Sequence, residues 1–173
     1  SSRRDSWNRK ILDVAAAGAR EAGADVTGIT LADYPMPIYN ADWHAEHGVP
    51  PAMLELRALM MAAHGLLIAS PEYNASITPL LKNTIDWISV VREPGEVQLA
   101  VFQHRAFALG GASPGRSGAL NSLLTLRQVL AIGCRALVVP EQIAIPNAEQ
   151  AFNDKDELVD ARAAGQLKTV VKK

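Results

Sequence analysis

The segment Leu66-Leu67-Ile68-Ala69-Ser70-Pro71-Glu72-Tyr73-Asn74-Ala75-Ser76 constrains the fold more than any other part of this chain. A short apolar run stops at a polar, proline-containing turn. Thr78-Pro79 then opens a helix through Leu80-Leu81-Lys82-Asn83-Thr84-Ile85-Asp86-Trp87-Ile88. Strand, turn and helix in that order put residues 71–76 at the carboxyl end of a buried strand, where open α/β sheets bind their ligands. The turn exposes backbone N–H groups, a carboxylate, a phenol and an amide. That set suits the edge of a flat heteroaromatic ring.

The rest of the chain repeats the pattern. Ile11, Leu12, Ala15 and Ala19 share one face, which predicts a helix over 8–18 that Gly23 closes. Residues 24–31 alternate and predict a strand. The 33–51 segment is rich in proline, aromatics and histidine and predicts a long irregular loop that makes contacts. Further helices are predicted over 51–64, 79–91, 120–130 and 157–173, with Gly165 weakening the last. Thr78 suits the N-cap of the second of these, and Pro79 its first position. Further strands are predicted over 66–70, 105–109 and 136–139. Short, continuously apolar strands alternating with helices mean a parallel sheet with helices on both faces. At 173 residues the expectation is a single domain spanning 1–173.

Composition excludes some functions. A net charge of −1 leaves no electrostatic footprint for nucleic acid or an anionic membrane. No apolar run approaches the roughly 18–20 residues of a membrane span. Cys134 is the single cysteine, so no intrachain disulfide can form, and a reducing, cytoplasmic compartment is expected. Its apolar surroundings read as core packing. His44 and His47 are the one close histidine pair; surface or interface use is commoner than metal binding for such a pair, and no metal is expected.

Two further loops carry chemistry. Ser1-Ser2-Arg3-Arg4-Asp5-Ser6-Trp7-Asn8 runs directly into a helix, offering hydroxyls, guanidinium groups and free helix N–H groups. It suits a phosphate and equally a solvated tail with capping serines. Gly110-Gly111-Ala112-Ser113-Pro114-Gly115-Arg116-Ser117-Gly118 follows another strand. Its glycines admit a ligand backbone-close, or serve a strand-to-helix turn that needs positive φ. The first of these loops is neither a triphosphate-binding loop nor a dinucleotide fingerprint. Glu72 reads as a turn-stabilising carboxylate or a catalytic base, with the first favoured. Trp87 reads as core or interface.

These residues together resemble the NADPH-dependent FMN reductase family, which includes quinone, azo-dye and chromate reductases. The resemblance rests on Ser1-x-Arg3-x-x-Ser6-x-Asn8, on Pro71-Glu72-Tyr73-Asn74-x-Ser76 with Leu81-Lys82-Asn83-x-x-Asp86-Trp87, and on Gly111-Ala112-Ser113-Pro114-Gly115. It implies a flavodoxin-like three-layer sandwich, sheet order 2-1-3-4-5, with FMN at the switch point. It implies the FMN phosphate on Ser1, Arg3, Ser6 and Asn8. It implies the ring against Pro71, Glu72, Tyr73 and Asn74, with Ser76, Ser113 and Gly115 in the same cofactor-binding set. It implies NADPH or NADH as hydride donor to flavin N5, and a quinone-, azo-, flavin- or metal-oxyanion-type acceptor, with no protein acid or base required. It implies a homodimer or homotetramer built on the helix carrying Lys82, Asp86 and Trp87. The chain departs from the family pattern at Ser2, where leucine is common, and at Asp5, whose acid suits a phosphate site only if it points away or pairs with Arg4. A sheet of that order also needs a central strand ahead of Ser1, so roughly five to ten more residues are expected there. The alternatives are a one-electron flavodoxin-like carrier, which the near-neutral charge disfavours, and a flavin-binding protein without turnover.

Overall fold

The computed structural model describes residues 3–171. The described residues form six α-helices and three strands: α1 (Trp7–Glu21), α2 (Ala41–His47), α3 (Pro51–Ala62), β1 (Gly65–Ala69), α4 (Pro79–Val90), β2 (Ala106–Ala112), α5 (Leu120–Gln128), β3 (Leu137–Ile145) and α6 (Ala161–Val170). The strands form one parallel sheet in the order β1-β2-β3.

Burial on both faces explains the apolar strands. In β2, Phe107 and Leu109 point into one core with Met53, Leu56, Leu81, Ile85, Leu123 and Leu126 of α3, α4 and α5. Ala106 and Ala108 point the other way, toward Ile11 and Ala15 of α1 and Leu167 of α6. β1 alternates likewise, Leu66 and Ile68 against Leu67 and Ala69. Helices therefore cover both faces, and every strand ends at the same edge.

Several boundaries differ from the expectation. Residues 24–31 form no strand; alternation makes a strand only where a neighbour supplies the ladder, and none of the described strands lies beside them. Arg20 and Arg9 hold this segment instead, through Val26 O and the Thr30 hydroxyl. The order β1-β2-β3 matches the last three strands of 2-1-3-4-5; the other two are not formed among the described residues. β2 runs on through Gly110 and Gly111, which pair with Ile143 and Ala144. β3 continues past Pro140 because Val139, Pro140 and Glu141 bulge out of register, where a missing N–H costs no ladder bond. Arg127 clamps that bulge by donating to Val139 O, Pro140 O and Gln142 Oε1. The last helix starts at Ala161 with Asp160 as its cap, because a turn around Asn153 and a bridge between Phe152 and Leu158 hold the preceding residues. Lys172 and Lys173, where that helix was expected to end, lie outside the described residues.

The 33–51 segment is not a plain loop. It contains α2, capped by Asn40, and straps across α4. Asn83 and Trp87, one turn apart on α4, both donate to Pro37 O, at 2.9 and 2.8 Å, and Asn83 Oδ1 accepts from Tyr39 N–H. The Trp87 ring is fully buried, edge-on to Tyr39, Trp43 and His44. His47 stacks on Trp43. The histidine pair is thus aromatic packing. Ile88 and Val91 are buried as well, and Val90 is 39% exposed. Trp87 is covered by the chain's own strap and Ile88 and Val91 belong to the core, so these three give no reason for an oligomer. Lys82 and Asp86 pair with each other on the outer face.

Trp87→Ala is expected to cost about 3–5 kcal/mol, as for a large buried aromatic, and to free the strap. Urea unfolding and limited proteolysis within 37–49 check this; a cost near zero with an intact strap refutes it.

Candidate functional site

Because the strands are parallel, their carboxyl ends stand side by side. Ala69 pairs with Gly110 and Ala112 with Ile145. Three loops therefore meet at one edge: 71–76 after β1, 113–118 after β2 and 146–148 after β3. The amino end of α1 joins them through Asn8. This side chain is buried, and its amide takes both backbone groups of Ala112, accepting from N–H at 2.9 Å and donating to C=O at 3.1 Å.

At the start of α1, Ser6 is the N-cap and its hydroxyl oxygen accepts from Arg9 N–H. Its own hydrogen has no acceptor among the described residues. The first-turn N–H groups of Trp7 and Asn8 have no intrahelical acceptor, and the first turn holds no acidic side chain. Arg3 lies 4.3 Å over the Trp7 ring and donates to Asp5 O, which folds the loop back over this helix end. The Asp5 side chain is exposed. Asn8 keeps one amide N–H beyond its bond to Ala112 C=O. Ser1 lies outside the described residues.

Residues 71–76 form a two-residue hairpin. Tyr73 and Ser76 exchange both backbone bonds at 3.0 Å, and Asn74 and Ala75 both have positive φ, 50° and 60°. That is the type I′ turn, which favours Asn followed by Gly. Ala75 in the glycine position stores about 1–2 kcal/mol of strain. The bond from Tyr73 uses one N–H; those of Glu72 and Asn74 have no acceptor among the described residues. Tyr73 and Asn74 are exposed, and Pro71 and Ser76 half-buried beside them.

The Glu72 carboxylate does not face outward. It accepts from Ser117 Oγ at 3.3 Å, Asn121 Nδ2 at 3.2 Å and Ser122 N–H at 3.2 Å. Ser122 is in the first turn of α5, whose own cap position is Ala119, in the left-handed region and without a capping side chain. Glu72 caps that helix from another loop, rather than stabilising its own turn. Sequence reading missed its partners Ser117, Asn121 and Ser122. The available signal was a helix beginning after alanine with no local cap.

In the glycine-rich loop most glycines answer to packing. A Cβ on Gly111 would meet Ala119 Cβ at 2.7 Å and Ser70 O at 2.9 Å. Gly118, at φ +58°, would meet Pro146 N at 2.5 Å. Gly115 differs: a Cβ there would meet only Ser113 Oγ, at 3.6 Å. Ser113 Oγ accepts from Gly115 N–H, and the 146–148 turn bonds to Ser113 O and Gly115 O. That third turn was not foreseen as part of the site. Cys134 lies elsewhere and is buried; burial first, and the nearby Asp86 second, push its thiol up to about 11 although Lys82 pulls it down, so it stays protonated at neutral pH. Among the described residues no group of three or more His, Cys, Asp or Glu is gathered for a metal ion, and no helix is long and apolar enough to cross a membrane.

A parallel α/β/α sandwich with an anion-ready helix start and a donor-rich hairpin at its carboxyl edge is the plan of a flavodoxin-like mononucleotide-binding protein. Comparison with known proteins agrees. The profile of the NADPH-dependent FMN reductase family matches residues 1–150. An NAD(P)H-dependent FMN reductase of Pseudomonas aeruginosa is 39% identical over 81% of this chain and 68% of its own length. A probable NADPH:quinone oxidoreductase of Oryza sativa is 33% identical over 99% of this chain and 81% of its own. The solved structure of a flavoenzyme NAD(P)H:(acceptor) oxidoreductase from Paracoccus denitrificans superposes with a TM-score of 0.80 at 26% identity, covering 99% of this chain and 89% of that one. The chain belongs to the NADPH-dependent FMN reductase family, oxidoreductases that use FMN and NAD(P)H.

Asn8→Ala strips Ala112 of both partners and is expected to cost about 2–4 kcal/mol, two buried hydrogen bonds at the unsatisfied-group rate. Chemical denaturation measures it; a cost below about 0.5 kcal/mol would show that water replaces the amide fully.

Proposed function

We propose that this chain reduces a quinone- or azo-type acceptor with electrons from NAD(P)H passed through FMN held at the carboxyl edge of the sheet. One observation carries the reading: an anion-ready helix start and a hairpin with unsatisfied N–H groups stand at the same edge, joined through β2. The residues present fit the cofactor. Arg3, the Ser6 hydroxyl, the Trp7 and Asn8 N–H groups and the spare Asn8 hydrogen would hold its phosphate. Pro71, the free N–H groups of Glu72 and Asn74, and the open backbone at Ser113 and Gly115 would border its ring, with Tyr73 and Ser76 alongside. When bound, FMN supplies the redox chemistry, taking a hydride and returning two electrons. The protein orients, donates hydrogen bonds and leaves the outer side open to nicotinamide and then acceptor. Glu72 is engaged by three donors and is not placed to act as a base.

The test is a pair of measurements. FMN is expected to bind more tightly than riboflavin, and Arg3→Ala to remove about 1.5–3 kcal/mol of FMN affinity, the range for a hydrogen bond to a charged group. Equimolar NADPH under anaerobic conditions is expected to bleach the bound flavin completely, and a quinone to restore it. Equal affinity for the two flavins removes the phosphate assignment; NADPH without effect on the bound flavin favours a carrier or a non-catalytic binder.

A homodimer or homotetramer is part of the same proposal. Its support moves from the covered end of α4 to the neighbouring surface, where Leu124 and Ile132 are 54% and 75% exposed. Ile132 lines a groove between Lys82, Ile85 and Asp86 of α4 and residues 128–134 at and after the end of α5. Light scattering is expected to give a multiple of 18.5 kDa, and Ile132→Glu to lower it. A monomer at micromolar concentration refutes this.

A further inference from the structure

We propose that Glu72 is a positioning residue that sets the width of the ring-binding cleft, and that the ring end of the site is thereby held independently of the phosphate end. This rests on the functional reading above. The two loops that border the ring belong to different strands. At their base they are joined by the Ser70 N–H to Gly110 O bond. Beyond that base Glu72 crosses from the 71–76 hairpin to Ser117, Asn121 and Ser122.

The chemistry of the contact is one-directional. An ionised carboxylate accepts and cannot donate. It meets a hydroxyl, an amide NH2 and a backbone N–H. The last is an obligate donor in a helix turn that has no cap of its own, and the helix dipole adds to the attraction. The hairpin also contains a strained Ala75, a conformation that persists only where its surroundings hold it. Glu72, three residues before Ala75, is the side chain by which α5 holds that hairpin.

The phosphate end has its own tie, Asn8 to Ala112. The two ties share no residue. Breaking one is therefore expected to affect one end of the cofactor. Glu72→Ala should weaken FMN and riboflavin by the same factor, about tenfold for a lost charge-assisted contact. A phosphate-end change such as Arg3→Ala should weaken FMN and leave riboflavin within about twofold.

Glu72→Gln separates geometry from charge. A glutamine can turn its oxygen to Ser122 N–H and its NH2 toward Ser117 and Asn121, both of which can reorient to accept. It is expected to recover most of the riboflavin affinity lost in Glu72→Ala. Asn121→Ala, which removes one donor of the three, is the milder companion should Glu72→Ala fold poorly.

The decisive experiment measures FMN and riboflavin dissociation constants for wild type, Glu72→Ala, Glu72→Gln, Asn121→Ala and Arg3→Ala. Amide hydrogen exchange of each flavin-free protein accompanies it. Equal loss of both flavins in Glu72→Ala, rescue in Glu72→Gln, and faster exchange at Tyr73, Ser76 and Ser122 with Phe107 unchanged support the proposal. Unchanged riboflavin affinity in Glu72→Ala, a loss confined to FMN, or unchanged exchange at those three amides overturns it. If wild type binds neither flavin, the functional reading itself fails and the ring assignment goes with it; the exchange data then report on the loop contact alone.

Discussion

Ala112 ends β2 with its N–H and C=O facing the side where β1 has already stopped. Ser70 still reaches Gly110, but two residues later no strand is there. A buried peptide cannot be left in that state without a cost comparable to its lost hydrogen bonds. Asn8 resolves it by presenting a side-chain amide in place of the missing strand peptide. The helix start and the end of β2 are fixed relative to one another by that substitution of side chain for backbone. The anion-ready end of α1 is where it is because Asn8 has to be.

The rest of the edge follows from similar economies. Gly111 lets Ser70 and Ala119 approach to contact, and Gly118 lets the turn after β3 close over the loop after β2. These glycines bring protein against protein. Gly115 alone among the loop's glycines stays clear of its surroundings apart from Ser113, and it is the position where space is left for something else. The motif on α4 divides in the same manner. Asn83 and Trp87 face inward and hold the strap, while Lys82 and Asp86 pair outward.

Local patterns were legible in the sequence where one element decides its own conformation. Thr78-Pro79 announced α4, the apolar spacing announced α1, and Pro71 to Ser76 stood where the strand-turn-helix order put them. What depended on a partner was not legible. Residues 24–31 have the alternation of a strand and no neighbour to pair with among the described residues. Pro140 reads as an end until Arg127 and the bulge make room for it. Asn8 read as a ligand contact, and its bond to a residue 104 positions away could not be seen in the local pattern. Glu72 was read as stabilising its own turn, and its carboxylate reaches a helix beyond another loop.

The 71–76 hairpin has a consequence for how this loop can vary. A two-residue turn with both central residues left-handed aims the free N–H groups of Glu72 and Asn74 by its length as much as by its composition. Since alternate residues along an extended chain face opposite ways, one residue added or removed would invert which amides point out of the edge and carry Glu72 away from α5. Side chains along the hairpin can be exchanged while that count is kept. The count itself is the part of the design with no tolerance.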